Sequence, residues 1–272
     1  EYQDGISQYA SNASGFGQYE FRLWPYIISH DPGLSPQLPS TLPTAALFEG
    51  IGWATMRSDW SSDATFGMFV CGRYFAGHQH HDQNQFIIHK KGTLAIDAGE
   101  YGARATECHN TIRIGGNQRM DGMPNGNDPM RFVGDPKIDR PDGQCYTGSI
   151  LAYQHAPEQG WTYVAGNATT AYDASKVSEF TRQFVYLRPD LFIVYDRTAT
   201  PSPQQREWML HSLEPASLNA SQQEVTITNG NGTLWAKMLH PNGELLLTLL
   251  AIRMVFLRYR HSFAKCAQPQ FD

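Results

Sequence analysis

The 272-residue chain has four cysteines, Cys71, Cys108, Cys145 and Cys266, and no two form a CxxC pair. That excludes a thiolate metal knuckle, and the spacing assigns no disulfide, so buried free thiols are the expectation. Long apolar runs are also missing. Leu245–Leu257 is the nearest approach, and it is short and broken by Arg253. No membrane-spanning helix is therefore expected, since one needs roughly 18 or more apolar residues. No signal peptide is visible at Glu1. Charge is scarce at 17%, which excludes long charged helices. There is no basic excess: the net charge of -5 argues against a general nucleic-acid surface. It leaves an acidic sugar open, because a cleft can be locally basic inside an acidic protein. Internal repeats are absent. The sequons at Asn12, Asn167, Asn219 and Asn231 matter only in a eukaryotic secretory protein.

What is present is a string of strand signals. Phe66–Cys71 is a short apolar run that ends at Gly72-Arg73. Gln85–His89 and Thr93–Asp97 flank Lys90-Lys91-Gly92, a hairpin signal with glycine in the turn. Val177–Leu187 and Leu191–Arg197 flank Arg188-Pro189-Asp190. Glu224–Thr228 and Thr233–Leu239 flank Asn229-Gly230-Asn231-Gly232. Many strands at short spacing, few helical windows and 41% hydrophobic residues predict an all-β protein, an antiparallel β-sandwich. All-β domains of this size can be single domains.

The ends differ from the middle. In residues 1–45, Phe21, Trp24 and Ile27-Ile28 have roughly helical spacing, limited by Pro25. Pro32, Pro36, Pro39 and Pro43 then read as an extended linker. Residues 46–252 form the expected sandwich. Residues 253–272 carry Arg253, Arg258, Arg260 and Lys265 with no acid before Asp272. This end has no turn signal and does not look like closing strands; a basic partner-binding tail is the functional alternative. Residues 115–136 are rich in Gly, Asn, Asp and Pro. Asp121, Asn125, Asn127 and Asp128 lack the spacing of a calcium loop and read as surface loop.

The chemistry concentrates in Gly77-His78-Gln79-His80-His81-Asp82, Asp97 and His109-Asn110-Thr111. Neutral imidazole and carboxylate are the usual non-thiolate ligands of zinc. An imidazole beside such a site is suited to proton transfer near neutral pH. His78 and His80, two apart on an extended strand, face the same side. Local geometry does not close the site. With the turn at Lys91-Gly92, Asp97 lies opposite residue 86, and extended chain of about 20 Å separates that point from His80. The chain must bend after His81, or a neighbouring strand must bring the groups together.

Gly77-His78-Gln79-His80, Phe86, Gly92, Leu94, Asp97-Ala98-Gly99, Tyr101 and His109-Asn110-Thr111 resemble the metal-bearing β-sandwich of the heparinase II/III-like polysaccharide lyases. Met56-Arg57-Ser58-Asp59-Trp60, Leu187–Asp196 and Trp208-Met209-Leu210-His211-Ser212 resemble the same domain, so the likeness runs over roughly 45 to 250. It implies a supersandwich-like fold. It also implies one structural zinc on His80, Asp97 and His109, with Cys108 no ligand. His78 is implied as the active-site histidine. Tyr101 is a candidate for the cleft wall, Gln83 and Asn84 for sugar hydroxyls, and Asp82 for a carboxylate that orients an imidazole. His81 and His89 are read as non-ligands. The activity implied is β-elimination on glycans that contain uronic acid, such as heparin, heparan sulfate or alginate. In the resembling enzymes the sandwich follows an α/α-toroid that supplies part of the site. Residues 1–45 look like the end of such a domain. A periplasmic or secreted bacterial location, with no nucleic-acid or membrane partner, is the matching expectation.

Two other readings stand beside it. Gly72, His78, His80, Gln85 and Gly92 fall at the spacing of a first cupin motif, with Gln85 replacing the metal-binding glutamate. A cupin would hold iron or manganese. No second cupin motif follows, and Asp97 and the His-Asn-Thr triplet have no place in it. The third reading is a non-catalytic carbohydrate-binding sandwich.

Overall fold

The structure is a computed structural model that describes residues 5–13, 31, 33–74, 79–98, 104–116, 120 and 146–239, and the strand backbones of 245–250 and 254–259. The chain divides into two units, Glu1–Pro43 and Thr44–Asp272. The first carries helix α1 (Gly5–Ala13) and a 3-10 turn at Pro39–Thr41. Proline opens that turn because its fixed φ suits a first helical position and its missing N–H costs nothing there. Gln37 N–H donates to Gly5 O at 2.8 Å within this unit. Phe21, Trp24, Ile27 and Ile28 lie outside the described residues.

The second unit is built of antiparallel sheets. Strands β1 (Ala45–Phe48), β2 (Trp53–Arg57), β3 (Phe66–Val70), β4 (Gln85–His89) and β5 (Thr93–Ala95) pair in chain order. After β6 (Ile112–Ile114), strands β7 (Ser149–Ala156), β8 (Trp161–Asn167), β9 (Glu179–Leu187) and β10 (Leu191–Ala199) make a second meander. Strand β11 (Arg206–Trp208) returns to pair with β6, so the chain after the second meander is tied beside the segment that follows His109. Strands β12 (Ser217–Asn219), β13 (Glu224–Asn229) and β14 (Gly232–Lys237) form a third sheet.

Strand β9 shows how the sequence makes this a sandwich. Its even positions, Phe180, Arg182, Phe184 and Tyr186, are buried, and its odd positions are half-exposed, the period-two pattern of a strand with one covered face. Phe184 stacks on Phe69 of β3 and Phe86 of β4, with ring centroids 6.0 and 5.4 Å away, and on Phe192 of β10 at 5.3 Å. These aromatic contacts join the two large sheets face to face. The antiparallel sandwich predicted from strand spacing is what forms.

The three turn signals sit where expected. Lys91 takes a positive φ of 53° in the β4–β5 turn, and Gly230 one of 59° between β13 and β14. At Gly92 a Cβ would run into the Asn229 carbonyl, so glycine lets the two turns touch.

The C-terminal end differs from the expectation. Leu245–Leu250 (β15) and Met254–Tyr259 (β16) pair as an antiparallel hairpin. Met254–Tyr259 is a short, largely apolar and β-branched or aromatic run that the flanking basic charges obscured. The cysteine expectation is also corrected in part: Cys108 is disulfide-bonded, whereas Cys71 is free and buried. Spacing alone cannot reveal a bridge that tertiary contacts create.

Candidate metal centre

Three loops meet at one point. His80 lies in the segment between β3 and β4, Asp97 just after β5, and His109 caps the 3-10 turn Thr106–Cys108. One ligand atom from each of His80, Asp97 and His109 lies within 4.8 Å of the other two. The imidazoles of His80 and His109 are 5.0 Å apart between centroids. Asp97 Oδ1 is 3.1 Å from His109 Nδ1.

The bend required after His81 is a turn at Asp82–Gln85. Gln85 N–H donates to Asp82 O at 3.1 Å, and Asn84 takes a φ of 59°, the left-handed region that asparagine tolerates. His81 N–H donates to Arg104 O at 3.0 Å, which ties the His80 loop to the segment leading into His109. On the far side, Gly166 of β8 has no Cβ, and one built there would strike Asn84 Oδ1 and Phe69. The glycine is what allows the loop to seat.

The donors are poised for a cation. Both ring nitrogens of His109 and Asp97 Oδ1 are buried and poorly aligned for hydrogen bonds: Nδ1 and Oδ1 face each other as an ion pair, and the Arg104 backbone is the other polar neighbour of His109. Buried polar atoms left without partners are costly. A metal ion is the group that two imidazoles and a carboxylate would accept. Burial, reinforced by His109, pushes His80 down to about 4, so its imidazole is neutral and its lone pair available. Burial opposes charge on His109 and on Asp97 alike. Their mutual attraction outweighs it, raising the His109 pKa and lowering that of Asp97.

The surrounding shell is polar and fixed. Burial pushes Asp82 up to about 6, and its carboxylate accepts from Gln85 Nε2 at 3.0 Å. Gln83 is buried, with its Oε1 accepting from Gly72 N–H at 2.7 Å and its backbone O from Thr111 Oγ1 at 2.7 Å. Asn84 is buried too, its Nδ2 reaching Phe180 O at 3.4 Å. Both amides, expected at sugar hydroxyls, point into the protein. His81 is buried against Met120 O at 3.2 Å, and His89 is half-buried on β4; neither joins the cluster. His78 and Tyr101 lie outside the described residues, as do Asp121, Asn125, Asn127 and Asp128.

Three residues brace this site: Asn110 and His211, quoted in the motifs but given no role there, and Arg182, which the sequence did not single out. Asn110 donates from Nδ2 to Phe86 O at 2.9 Å and accepts His211 N–H on Oδ1 at 2.7 Å. His211 is buried, its ring nitrogens 3.2 Å from Asn110 Oδ1 and 3.0 Å from Glu107 O. Arg182, fully buried on β9, donates from Nη1 to Asn84 O at 2.7 Å and Asn110 O at 2.8 Å. A lone arginine in the apolar alternation Phe180, Arg182, Phe184, Tyr186 was the available signal.

A cavity of about 610 Å³ lies between the edges of the two large sheets, lined by residues that include Leu47, Arg73, Tyr146 and Tyr153 and by none of the cluster's three. The Arg73 guanidinium sits 4.7 Å over the Tyr146 ring, and Gln79 Nε2 donates to Arg73 O at 3.1 Å.

A family model described as "Heparinase II/III-like, C-terminal" matches residues 40–249. The chain belongs to that family. Solved structures agree on the fold of the heparinase II/III-like domain. The heparan sulfate lyase HepC from Pedobacter heparinus aligns with a TM-score of 0.58 and 16% identity, over 95% of this chain and 38% of that one. A heparinase III, the BT4657 gene product, aligns with a TM-score of 0.60 and 14% identity, over 93% and 37%. Another heparinase III structure gives 0.57 and 12%, over 80% and 34%. The chain thus spans under two-fifths of the length of these neighbours. No curated protein matches the chain significantly. The family leaves the cupin reading without support, and the site agrees: its third donor is Asp97, while Gln85 bonds Asp82.

Proposed function

We propose that this chain is the metal-bearing β-sandwich portion of a polysaccharide lyase that cleaves uronic-acid glycans, such as heparin, heparan sulfate or alginate, by β-elimination. The observation that carries the reading is the convergence of His80, Asp97 and His109 ligand atoms at one point, inside a heparinase II/III-like domain. In this account the three residues hold a structural zinc, which supplies a fixed cation that pins three loops together. No step of the reaction passes through it.

Elimination removes the proton at C5 of the uronide and expels the O4 substituent. The substrate carboxylate must be neutralised, a base must reach C5 and an acid must reach O4. His78 stands two residues before His80, and an anchored His80 would hold it at the cleft as base or as carboxylate partner. Tyr101, a few residues past Asp97, is the second candidate group. The buried Gln83 and Asn84 shape the loop in this account. The remaining groups come from a preceding helical domain, of which residues 1–45 are the end. The matching location is the periplasm or the exterior of a bacterium.

The test is a lyase assay of the longer protein that carries the helical domain. Heparin, heparan sulfate, hyaluronan and alginate are offered separately, and absorbance of the unsaturated uronide is followed. Growth of that band on one of them supports the reading. New reducing ends without the band would mean hydrolysis and would overturn it.

A further inference from the structure

An ion pair in the second sheet, its arginine fully buried and its aspartate partly so, touches both histidine loops. Arg182 of β9 faces Asp196 of β10 in register. Its Nε donates to Asp196 Oδ1 at 2.6 Å and its Nη2 to Asp196 Oδ2 at 2.9 Å, a two-pronged pair. Trp208 Nε1 donates to the same Oδ2 at 3.0 Å, so the carboxylate is itself held. The guanidinium lies 5.6 Å from the Phe86 ring and 5.8 Å from the Trp208 ring, which fixes its plane. Its remaining nitrogen, Nη1, donates to Asn84 O and Asn110 O. Asn84 closes the turn that follows His80, and Asn110 is the residue after His109.

One guanidinium therefore bonds the backbone of both segments that deliver imidazoles to the cluster. Desolvating an arginine completely, against an aspartate that is itself partly buried, is expensive, and well-packed apolar residues commonly serve stability as well or better. Stability alone does not explain the pair. A fork of donors in a fixed plane does something apolar packing cannot: it sets the distance and orientation of two carbonyls relative to each other.

We propose that Arg182, aligned by Asp196 and Trp208, is a positioning residue for the metal centre, holding the His80 and His109 loops at the separation that a metal ion needs. The inference rests on the proposed metal site. The residue never touches the metal; it acts through the two backbones, as outer residues around metal sites do.

The experiment compares the chain with R182K, R182M and the double variant R182M/D196L. Removing Arg182 alone strands the Asp196 charge and can unfold the protein, so the double variant keeps the test valid by removing both charges. Zinc affinity is read by competition with a chromophoric chelator, and ligand geometry by the visible spectrum of the Co²⁺-substituted protein. Thermal melting is read in parallel. The double variant should melt near the parent yet bind zinc about ten- to a hundredfold more weakly, the scale for lost outer-shell support. Its cobalt spectrum should be altered. R182K, which keeps the charge but not the fork, should fail to restore the parent affinity. Parent-like zinc affinity and cobalt spectrum in a folded double variant would overturn the proposal.

Hydrogen exchange separates this failure from failure of the metal reading. If the parent takes up no metal, the site as drawn is wrong, and the clamp is judged on amides 80–85 and 107–111 alone. Lost protection there in the double variant supports the positioning role, and unchanged protection refutes it.

Discussion

Asp97 Oδ1 and His109 Nδ1 lie 3.1 Å apart in the interior, yet neither atom completes a hydrogen bond, and His109 Nε2 has none either. Two loops on either side of a short connection have been brought together at one point. Folded proteins leave few buried polar atoms in that condition, and an ion is one group that satisfies them.

Asp97→Asn keeps the shape of the cluster and removes its negative charge. A neutral amide is a poorer ligand for zinc than a carboxylate. Zinc affinity should fall by at least about tenfold, while His80→Ala, which deletes a ligand, should abolish stoichiometric binding. Equilibrium dialysis against buffered zinc measures both. Full retention of zinc by His80→Ala would remove that residue from the ligand set.

His78 and His80 should separate cleanly. In the longer protein with its helical domain, His78→Ala should cut turnover by about a hundredfold or more, the usual scale for a lost acid-base group. Metal content and melting temperature should barely move. Loss of metal with turnover intact would mean that the two histidines have exchanged roles.

Acid should destabilise the domain through its buried imidazoles. Burial pushes His211 down to about 3, whereas an unfolded histidine titrates near 6.5. The unfolded state therefore takes up the proton first. The contribution is fully present above about 6.5 and is lost as pH falls toward 3. Melting temperature should drop over that window, and His211→Gln should show a shallower slope, even if less stable throughout. Asp82, pushed up to about 6, works in the opposite direction. An identical slope in His211→Gln would show that this histidine is not buried in neutral form.

How much of this was legible beforehand divides along physical lines. Hairpins were, because turn residues and alternation are local: β4, β9 and β10 begin or end within about two residues of where their turns predicted. The β16 strand was not, since the basic residues in and around it masked a short apolar run. The ligand trio could be named from a resemblance, but its closure could not, because it depends on the Asn84 turn and on space left by Gly166 in the opposite large sheet. Arg182 carries no motif of its own. Only the pairing of β9 with β10 and the approach of two loops reveal its role.

The chain alone should be a poor lyase. Omitting one of base, acid or carboxylate neutraliser costs orders of magnitude, and the sandwich offers His78 and Tyr101 as its candidates. With the four glycans above, the isolated chain should produce little unsaturated uronide, and adding the helical domain in the same polypeptide should restore it. Robust turnover by the isolated chain would end the two-domain account.

The central claim is the metal centre, and elemental analysis of the chain purified without chelator tests it most directly. The account predicts close to one zinc per chain. Protein that is folded by circular dichroism and carries no transition metal, even after exposure to zinc, would contradict it.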